Sequence, residues 1–171
     1  MDIRLCYLLN LSDGNFSCIA AFLNEIGLPI VIGEIQETTF LPGIQICRGK
    51  SRVDPEKLQW PGDLLHEAGH LALLSGEQRA VTMGDAGDDG GDELGAIAWS
   101  YAAAVRLRLD PAVVFHAGGY KGGSGAILAN FADGRYIGVP ILEWRGLCAD
   151  ARRAAEEGGE TYPHMLRWLR D

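Results

Sequence analysis

Two histidines and a glutamate lie within an otherwise apolar segment, residues 63–75, whose sequence is DLLHEAGHLALLS. The segment predicts a helix, with Asp63 as its N-cap and Gly76 just beyond its end. On a helix, residues four apart are offset by about 40° and rise about 6 Å, so His66 and His70 point the same way. Because unpaired polar groups are costly to bury, these side chains need partners in the fold.

A metal ion is a partner that both imidazoles can share. Zinc binds histidine nitrogens at about 2.0–2.1 Å and lowers the pKa of a bound water toward about 7. Glu67, about 100° around the helix from His66, can flank the metal without ligating it and take a proton from that water. The pattern would occur by chance in about 0.6% of sequences of this composition. We therefore predict a zinc site; histidines satisfied within the core are the alternative.

Length and charge bound the class of protein. The chain has 171 residues, of which 47% are hydrophobic and 22% charged, as in an ordinary globular domain. A net charge of −8 argues against general nucleic-acid binding, because an acidic chain repels phosphates. No apolar run reaches the roughly 18 residues of a membrane span, and the N-terminus lacks a secretory signal. We expect one cytoplasmic domain over residues 1–171, with buried reduced thiols at the four isolated cysteines, Cys6, Cys18, Cys47 and Cys148.

Apolar periodicity and turn signals divide the rest of the chain into helices and short strands. Further helices are predicted over residues 16–27, 92–109, 124–132 and 161–170. Strands are predicted over 28–35 and 38–48, and Pro42-Gly43 places the second at a sheet edge or a bulge. Residues 51–60 and 76–91 are predicted connections, and 136–147 fits either a strand or a helix. The simplest assembly is α+β, with several helices packed on a small, mostly antiparallel sheet.

The segments PGDLLHEAGHLALL and DELGAIAWS, with FLPGIQI upstream, resemble the zincin metallopeptidases and look like small bacterial zincin-like proteins. The resemblance implies a motif helix beside a small sheet, zinc as cofactor and cleavage of peptide bonds. It also implies that an edge strand, here residues 43–47, aligns an extended peptide. Within this group, the gluzincins take a third zinc ligand from a glutamate on a second helix. The metzincin continuation is absent after His70.

The third ligand has several candidates: Asp85, Asp88, Asp89, Asp92, Glu93 and His116. Glu93 opens the Ala-rich helix and matches the gluzincin arrangement best, and small residues at Gly95, Ala96 and Ala98 would let this helix approach the motif helix closely. Asp92 is the better helix N-cap, which leaves the longer Glu93 to reach the metal. The alternative for Glu93 is a first-turn acid that stabilises the helix N-terminus.

Three side chains are available to face a developing oxyanion: His116, Tyr120 and Tyr136. Tyr120 lies between glycine pairs, where a side chain can be displayed, and we choose it; packing or a satisfied hydrogen bond is the alternative for each. The glycine-rich, acidic stretch 76–91 is predicted to be a solvated loop and suits a mobile lid.

Together these patterns predict a zinc-dependent hydrolase that acts on a peptide or a small amide. His66, His70 and Glu93 are the predicted ligands, and Glu67 is the predicted general base. The alternative is a non-catalytic binding or interaction protein that keeps the scaffold with structural zinc or none. The intact Glu67 argues against this alternative, since a structural site does not need it. No nucleic-acid or membrane partner is expected.

Overall fold

Seven α-helices, two short 3-10 helices (Pro111–Val113 and Tyr120–Gly122) and four short strands form the regular structure of the described part of the chain, residues 14–84 and 90–171, in this computed structural model. The strands are β1 (Ile30–Ile32), β2 (Ile44–Cys47), β3 (Lys50–Val53) and β4 (Met83–Gly84). The helices are α1 (Gly14–Glu25), α2 (Asp63–Leu73), α3 (Gly76–Val81), α4 (Gly90–Leu107), α5 (Ser124–Ala132), α6 (Val139–Trp144) and α7 (Ala151–Glu157). The predicted α+β class is confirmed, and so are the helices predicted over 16–27, 63–75, 92–109 and 124–132, with their ends shifted by about two residues.

The four strands form one mixed sheet in the order β1–β3–β2–β4. β1 pairs parallel with β3, whereas β2 pairs antiparallel with both of its neighbours. Arg48 and Gly49 join β2 to β3 in a two-residue turn with φ of 52° and 74°, a geometry that suits tight hairpins. Of the two predicted placements of this segment, a sheet edge or a bulge, the sheet edge is wrong, because β4 pairs with the second half of β2. That pairing also covers part of the segment 43–47, which the resemblance assigns to an extended peptide.

Two predicted connections contain regular structure. β3 occupies the start of the stretch 51–60. α3 and β4 occupy most of 76–84, so the predicted loop is wrong over those residues. Ser75 caps α3, since its hydroxyl accepts from Gln78 N while its own backbone N donates to Gln78 Oε1. Residues 85–89, including the candidate ligands Asp85, Asp88 and Asp89, lie outside the described residues.

The C-terminal part differs most from expectation. Residues 161–170 are irregular, and the helix in this region is α7, which begins after the side-chain cap of Asp150 and ends at left-handed Gly158. Bonds to the core fix the tail instead of helical bonds: Trp99 Nε1 donates to Trp168 O at 2.9 Å, and Arg170 N donates to Ala72 O at 3.0 Å. The undecided stretch 136–147 contains α6.

The motif helix α2 lies at the centre of the core. Four of its leucines are fully buried: Leu64, Leu65, Leu71 and Leu73. Each contributes about 1.5–3 kcal/mol by leaving water. The partner of α2 is chiefly α4, whose inward face is made of small side chains and Trp99. Among the described helices, none is long and apolar enough to cross a bilayer.

The cysteines of the described residues are free thiols. Cys148 is buried, and burial raises its pKa to about 12. Cys18 and Cys47 are only half-buried, and Cys6 lies outside the described residues. The expectation of buried thiols is therefore confirmed for Cys148, whereas Cys18 and Cys47 are more exposed than expected.

Candidate metal centre

Two glycines allow α2 and α4 to approach each other closely. A Cβ atom built on Gly69 would lie 2.8 Å from the carbonyl oxygen of Ala96 and 3.0 Å from its Cα. A Cβ on Gly95 would lie 2.8 Å from Leu73 Cδ1. Non-bonded carbon atoms normally stay about 3.5–4.0 Å apart, so a larger residue at Gly69 would displace α4. The close approach predicted from Gly95 and Ala96 is confirmed.

This approach brings three polar side chains from the two helices to one point. His66 Nε2 and His70 Nε2 are 3.2 Å apart. Glu93 Oε2, from the first turn of α4, lies 3.1 Å from His70 Nε2 and 3.6 Å from His66 Nε2. Both imidazoles thus point to one place, as the spacing of the two histidines predicts, and among the described acids Glu93 meets them.

The triangle of these atoms has the dimensions of one face of a tetrahedral metal site. Ligand atoms about 2.0–2.1 Å from a central ion lie about 3.3–3.4 Å from one another in that geometry. The observed separations fall on both sides of this value, and the group could hold a metal ion. The Glu93 side chain is 45% exposed, against 13% and 7% for His66 and His70, so the cluster opens toward solvent on the Glu93 side.

Hydrogen bonds within the cluster shift its pKa values. Contacts with His66 and then with His70 hold the pKa of Glu93 far below its usual range, although burial opposes them. Burial by itself would lower the pKa of His70, but the bond to Glu93 and the charges of Glu67 and Glu93 raise it. The carboxylate of Glu93 is therefore ionised, as a metal ligand must be.

The Nδ1 atoms of the two imidazoles, which face away from the shared point, bear on the tautomer that a metal would select. Nδ1 of His66 and Nδ1 of His70 are buried without a hydrogen-bond partner among the described residues. Both rings present Nε2 to the shared point. If a metal binds Nε2, Nδ1 is the nitrogen that keeps its proton, and it would need a carbonyl, a carboxylate or a water as partner.

Glu67 lies beside this cluster without belonging to it. Its side chain follows His66 on α2 and is buried, with 9% of the residue exposed. Its charge is close enough to raise the pKa of both His70 and Tyr120. Among the described residues, the cluster of ligand atoms comprises His66, His70 and Glu93. This placement matches the flanking position that the sequence predicts for Glu67.

Tyr120 packs against His66, one member of the cluster. Its ring stands edge-on to His66, with ring centroids 5.4 Å apart. Its hydroxyl is buried and has no hydrogen-bond partner among the described residues. Burial, followed by the charges of Asp63, Glu93 and Glu67, raises the pKa of this hydroxyl far above its usual value. The phenol is thus a neutral donor next to the predicted ligands.

His116 and Tyr136 lie away from the cluster. His116 Nε2 lies 2.9 Å from Asp63 Oδ1, and its ring stacks on Trp60 at 4.3 Å, so neither a ligand role nor an oxyanion role fits. Tyr136 belongs to an aromatic group and lies 4.8 Å from Tyr162 between ring centroids. Asp63 is not the N-cap of α2: Gly62 holds that position, because the carboxyl of Asp63 is turned toward His116.

Asp92 is not the cap of α4 either. The helix begins at Gly90, and the Asp92 carboxylate instead pairs with the guanidinium of Arg145. The same guanidinium donates to Leu73 O at the end of α2. Arg145 therefore ties the C-terminal end of the motif helix to the first turn of the helix that carries Glu93.

Two more arginines meet this end of α2. Arg79 Nη1 donates to Leu74 O at 2.7 Å and to Leu71 O at 3.2 Å, while Arg170 Nη1 lies 3.5 Å from Leu73 O. Cations are favourable at a helix C-terminus, where carbonyl groups lack helical partners. The three guanidinium groups, from Arg79, Arg145 and Arg170, thus fix the motif helix at the end opposite Asp63.

Sequence reasoning missed Gly69, Asp63 and Arg145 as supports of the site. A glycine on the buried face of a helix signals a close helix contact, so Gly69 was recognisable in principle. Nothing in the local sequence pairs Asp63 with His116 or Arg145 with Asp92, because 53 residues separate each pair.

Comparison with known proteins adds no relative: no family model, no curated protein and no solved structure matches this chain.

Proposed function

We propose that the chain is a zinc-dependent hydrolase that cleaves a peptide bond or another small amide. The observation that carries this proposal is the convergence of His66 Nε2, His70 Nε2 and Glu93 Oε2 at separations of 3.1–3.6 Å. Two imidazoles and one carboxylate form a known ligand set of catalytic zinc, which keeps its fourth position open. The resemblance of the motif segments to zincins supports the same proposal.

The residues around the ligands have roles that suit hydrolysis. When bound, zinc would polarise a carbonyl group and make water more acidic. Glu67 would accept a proton from the attacking water and return it to the leaving amine. The hydroxyl of Tyr120, which has no partner among the described residues, would donate to the carbonyl oxygen as its negative charge develops. A cytoplasmic location and a single domain stay predictions.

Zinc content and a variant of the proposed base test this function. We expect about one zinc per chain by elemental analysis of protein purified without chelator. Hydrolysis is measured on a library of unmodified peptides by mass spectrometry. Glu67→Gln keeps the shape of the side chain but cannot accept a proton, so hydrolysis should fall at least about a hundredfold while zinc content stays the same.

The outcomes separate the proposal from the alternative. A chain that takes up no zinc even when zinc is added refutes the metal site. If protein ligands fill all four coordination positions of the zinc ion and the chain cleaves none of the peptides or small amides, the chain is a binding or structural protein instead. Full activity of Glu67→Gln would refute the role of Glu67 alone.

A further inference from the structure

The segment 116–124, which carries Tyr120, is closed at its base. Ser124 Oγ donates to His116 O at 2.6 Å and lies 3.4 Å from Gly119 O. Ser124 also begins α5, so the base of the segment is joined to a regular element. We call residues 116–124 the tyrosine loop. Its two ends are held together, and Tyr120 lies near its middle.

The tyrosine loop has a backbone that its own sequence does not favour. Tyr120 and Lys121 have φ of 53° and 50°, and Gly122 follows with φ of 82°. The left-handed region is unfavourable for residues with a side chain, and two such residues in succession are rarer still. This conformation persists only where the surroundings fix it.

The fixing contacts run through His116 to the motif helix. His116 Nε2 is 2.9 Å from Asp63 Oδ1, and both side chains are buried. Asp63 lies one turn before His66 on α2. Trp60 covers the other face of the imidazole at 4.3 Å between ring centroids and 10° between planes. The loop packs tightly on the ring, since a Cβ built on Gly119 would lie 3.2 Å from His116 Cε1.

We propose that Asp63 and His116 are positioning residues that fix the tyrosine loop to the motif helix and so hold the ring of Tyr120 against His66 of the His66, His70 and Glu93 cluster. The catalytic meaning of this placement rests on the proposed function; the placement itself does not. Neither residue touches the predicted zinc ligand atoms, so each acts through Tyr120. The pair links the two elements of the site that lie farthest apart in sequence.

Proteolysis at Lys121 tests whether His116 holds the loop. Lys121 is exposed, so trypsin can cut after it once the loop opens. We expect His116→Ala to raise the rate of cleavage at this bond at least about tenfold relative to cleavage after the exposed Arg135. His116→Gln places an amide nitrogen near the position of Nε2 and should restore the rate to within about twofold of wild type.

A second variant and a control keep the test decisive. Ser124→Ala removes the bond at the base of the loop without removing a buried ring, and it should also expose Lys121. Tyr162→Phe removes an equally buried hydrogen bond, 2.8 Å from the hydroxyl to Ala98 O, between two residues outside the loop. Its cleavage at Lys121 should match wild type. Equal acceleration in Tyr162→Phe would mean that general destabilisation, not anchoring, exposes the bond.

A spectroscopic signal reports on Tyr120 itself. In the full chain labelled with 3-fluorotyrosine, Tyr120→Phe identifies the fluorine resonance of Tyr120. This resonance should move in His116→Ala, return in His116→Gln and stay in place in Tyr162→Phe, with or without zinc. If it stays in place in His116→Ala, and Lys121 cleavage also matches wild type, the proposal is overturned.

Zinc and catalysis distinguish this inference from the proposed function. Zinc affinity should be the same in wild type and His116→Ala, because His116 is not a ligand. Failure of the wild-type chain to take up zinc overturns the proposed function, while the fluorine and proteolysis results still decide the placement of Tyr120. On a hydrolysed peptide, His116→Ala should lower kcat and leave KM unchanged. Combined with Tyr120→Phe, it should cause no further loss, since it acts through that hydroxyl.

Discussion

Replacing Gly69 by alanine tests the close helix contact on which the candidate site depends. The added Cβ would lie 2.8 Å from Ala96 O and 3.0 Å from Ala96 Cα, both backbone atoms that no rotamer change can move. An ordinary separation is restored only if α4 shifts by about 0.6 Å. Glu93 lies one turn before Ala96 on the same helix and would move with it.

The expected size of the effect follows from this shift. Zinc ligands tolerate deviations of about 0.2 Å from their ordinary distances, so a shift of about 0.6 Å takes Glu93 out of range. We expect zinc affinity to fall about 10- to 100-fold, as for other changes outside the ligand atoms. The crowding also costs about 1–3 kcal/mol of unfolding free energy, against a gain of up to about 1 kcal/mol in helix propensity.

A second helical glycine provides the matched control. A Cβ on Gly125, in α5, would meet nothing within 4 Å, so Gly125→Ala changes propensity without crowding. Urea unfolding followed by tryptophan fluorescence should therefore place Gly69→Ala about 1–3 kcal/mol below Gly125→Ala. Competition with a chromophoric chelator measures the zinc affinity of both. If Gly69→Ala matches Gly125→Ala in stability and in zinc affinity, the packing argument is refuted.

Three further predictions concern the ligand, its neighbour and the thiols. Glu93→Ala should abolish tight zinc binding in a chelator titration. Asp92→Ala should retain zinc but lose about 1.5–3 kcal/mol of unfolding free energy, because it leaves Arg145 without its carboxylate. If Asp92→Ala loses zinc and Glu93→Ala keeps it, the ligand is Asp92. Zinc at 100 times its Kd should raise the unfolding free energy of the wild type by about 2.7 kcal/mol, and Glu93→Ala should show no such rise in a thermal melt. Because burial raises the pKa of Cys148 to about 12, iodoacetamide at pH 8 should modify it more slowly than Cys18, as measured by mass spectrometry, and equal rates would contradict its burial.

The parts of the fold that sequence reasoning predicts are those with local causes. The spacing of His66 and His70 on an apolar helix depends on residues within one segment. The small side chains around Gly95 likewise indicate that another helix packs closely there. Glu93 could be chosen among the acids because it opens the next long helix. These inferences hold because helical periodicity is fixed within a few turns.

The parts that failed depend on partners distant in the chain. The tail over residues 161–170 has an apolar pattern that suits a helix. Its backbone is irregular instead, because it forms hydrogen bonds with Trp99 and Ala72 of the core. The local sequence predicts Asp63 as a helix cap, but its carboxylate pairs with His116, which lies 53 residues away in the chain. β2 looks like an edge strand because one of its two partners, β4, lies beyond the whole motif helix. Local patterns do not contain this information.

The arginine contacts at the end of α2 have a consequence for the order of assembly during folding. His66, His70 and Glu93 come from α2 and α4, with α3 and β4 between them in sequence, and contacts between segments that are close in sequence form fastest. Arg170, in contrast, lies 97 residues from the carbonyl of Leu73 that it meets, and Arg79 binds Arg170 O across 91 residues. We therefore expect the ligand side chains to converge early, while the far end of the helix pair is still open. The tail should close that end later, when Arg170 reaches α2, and so fix a site that is already assembled.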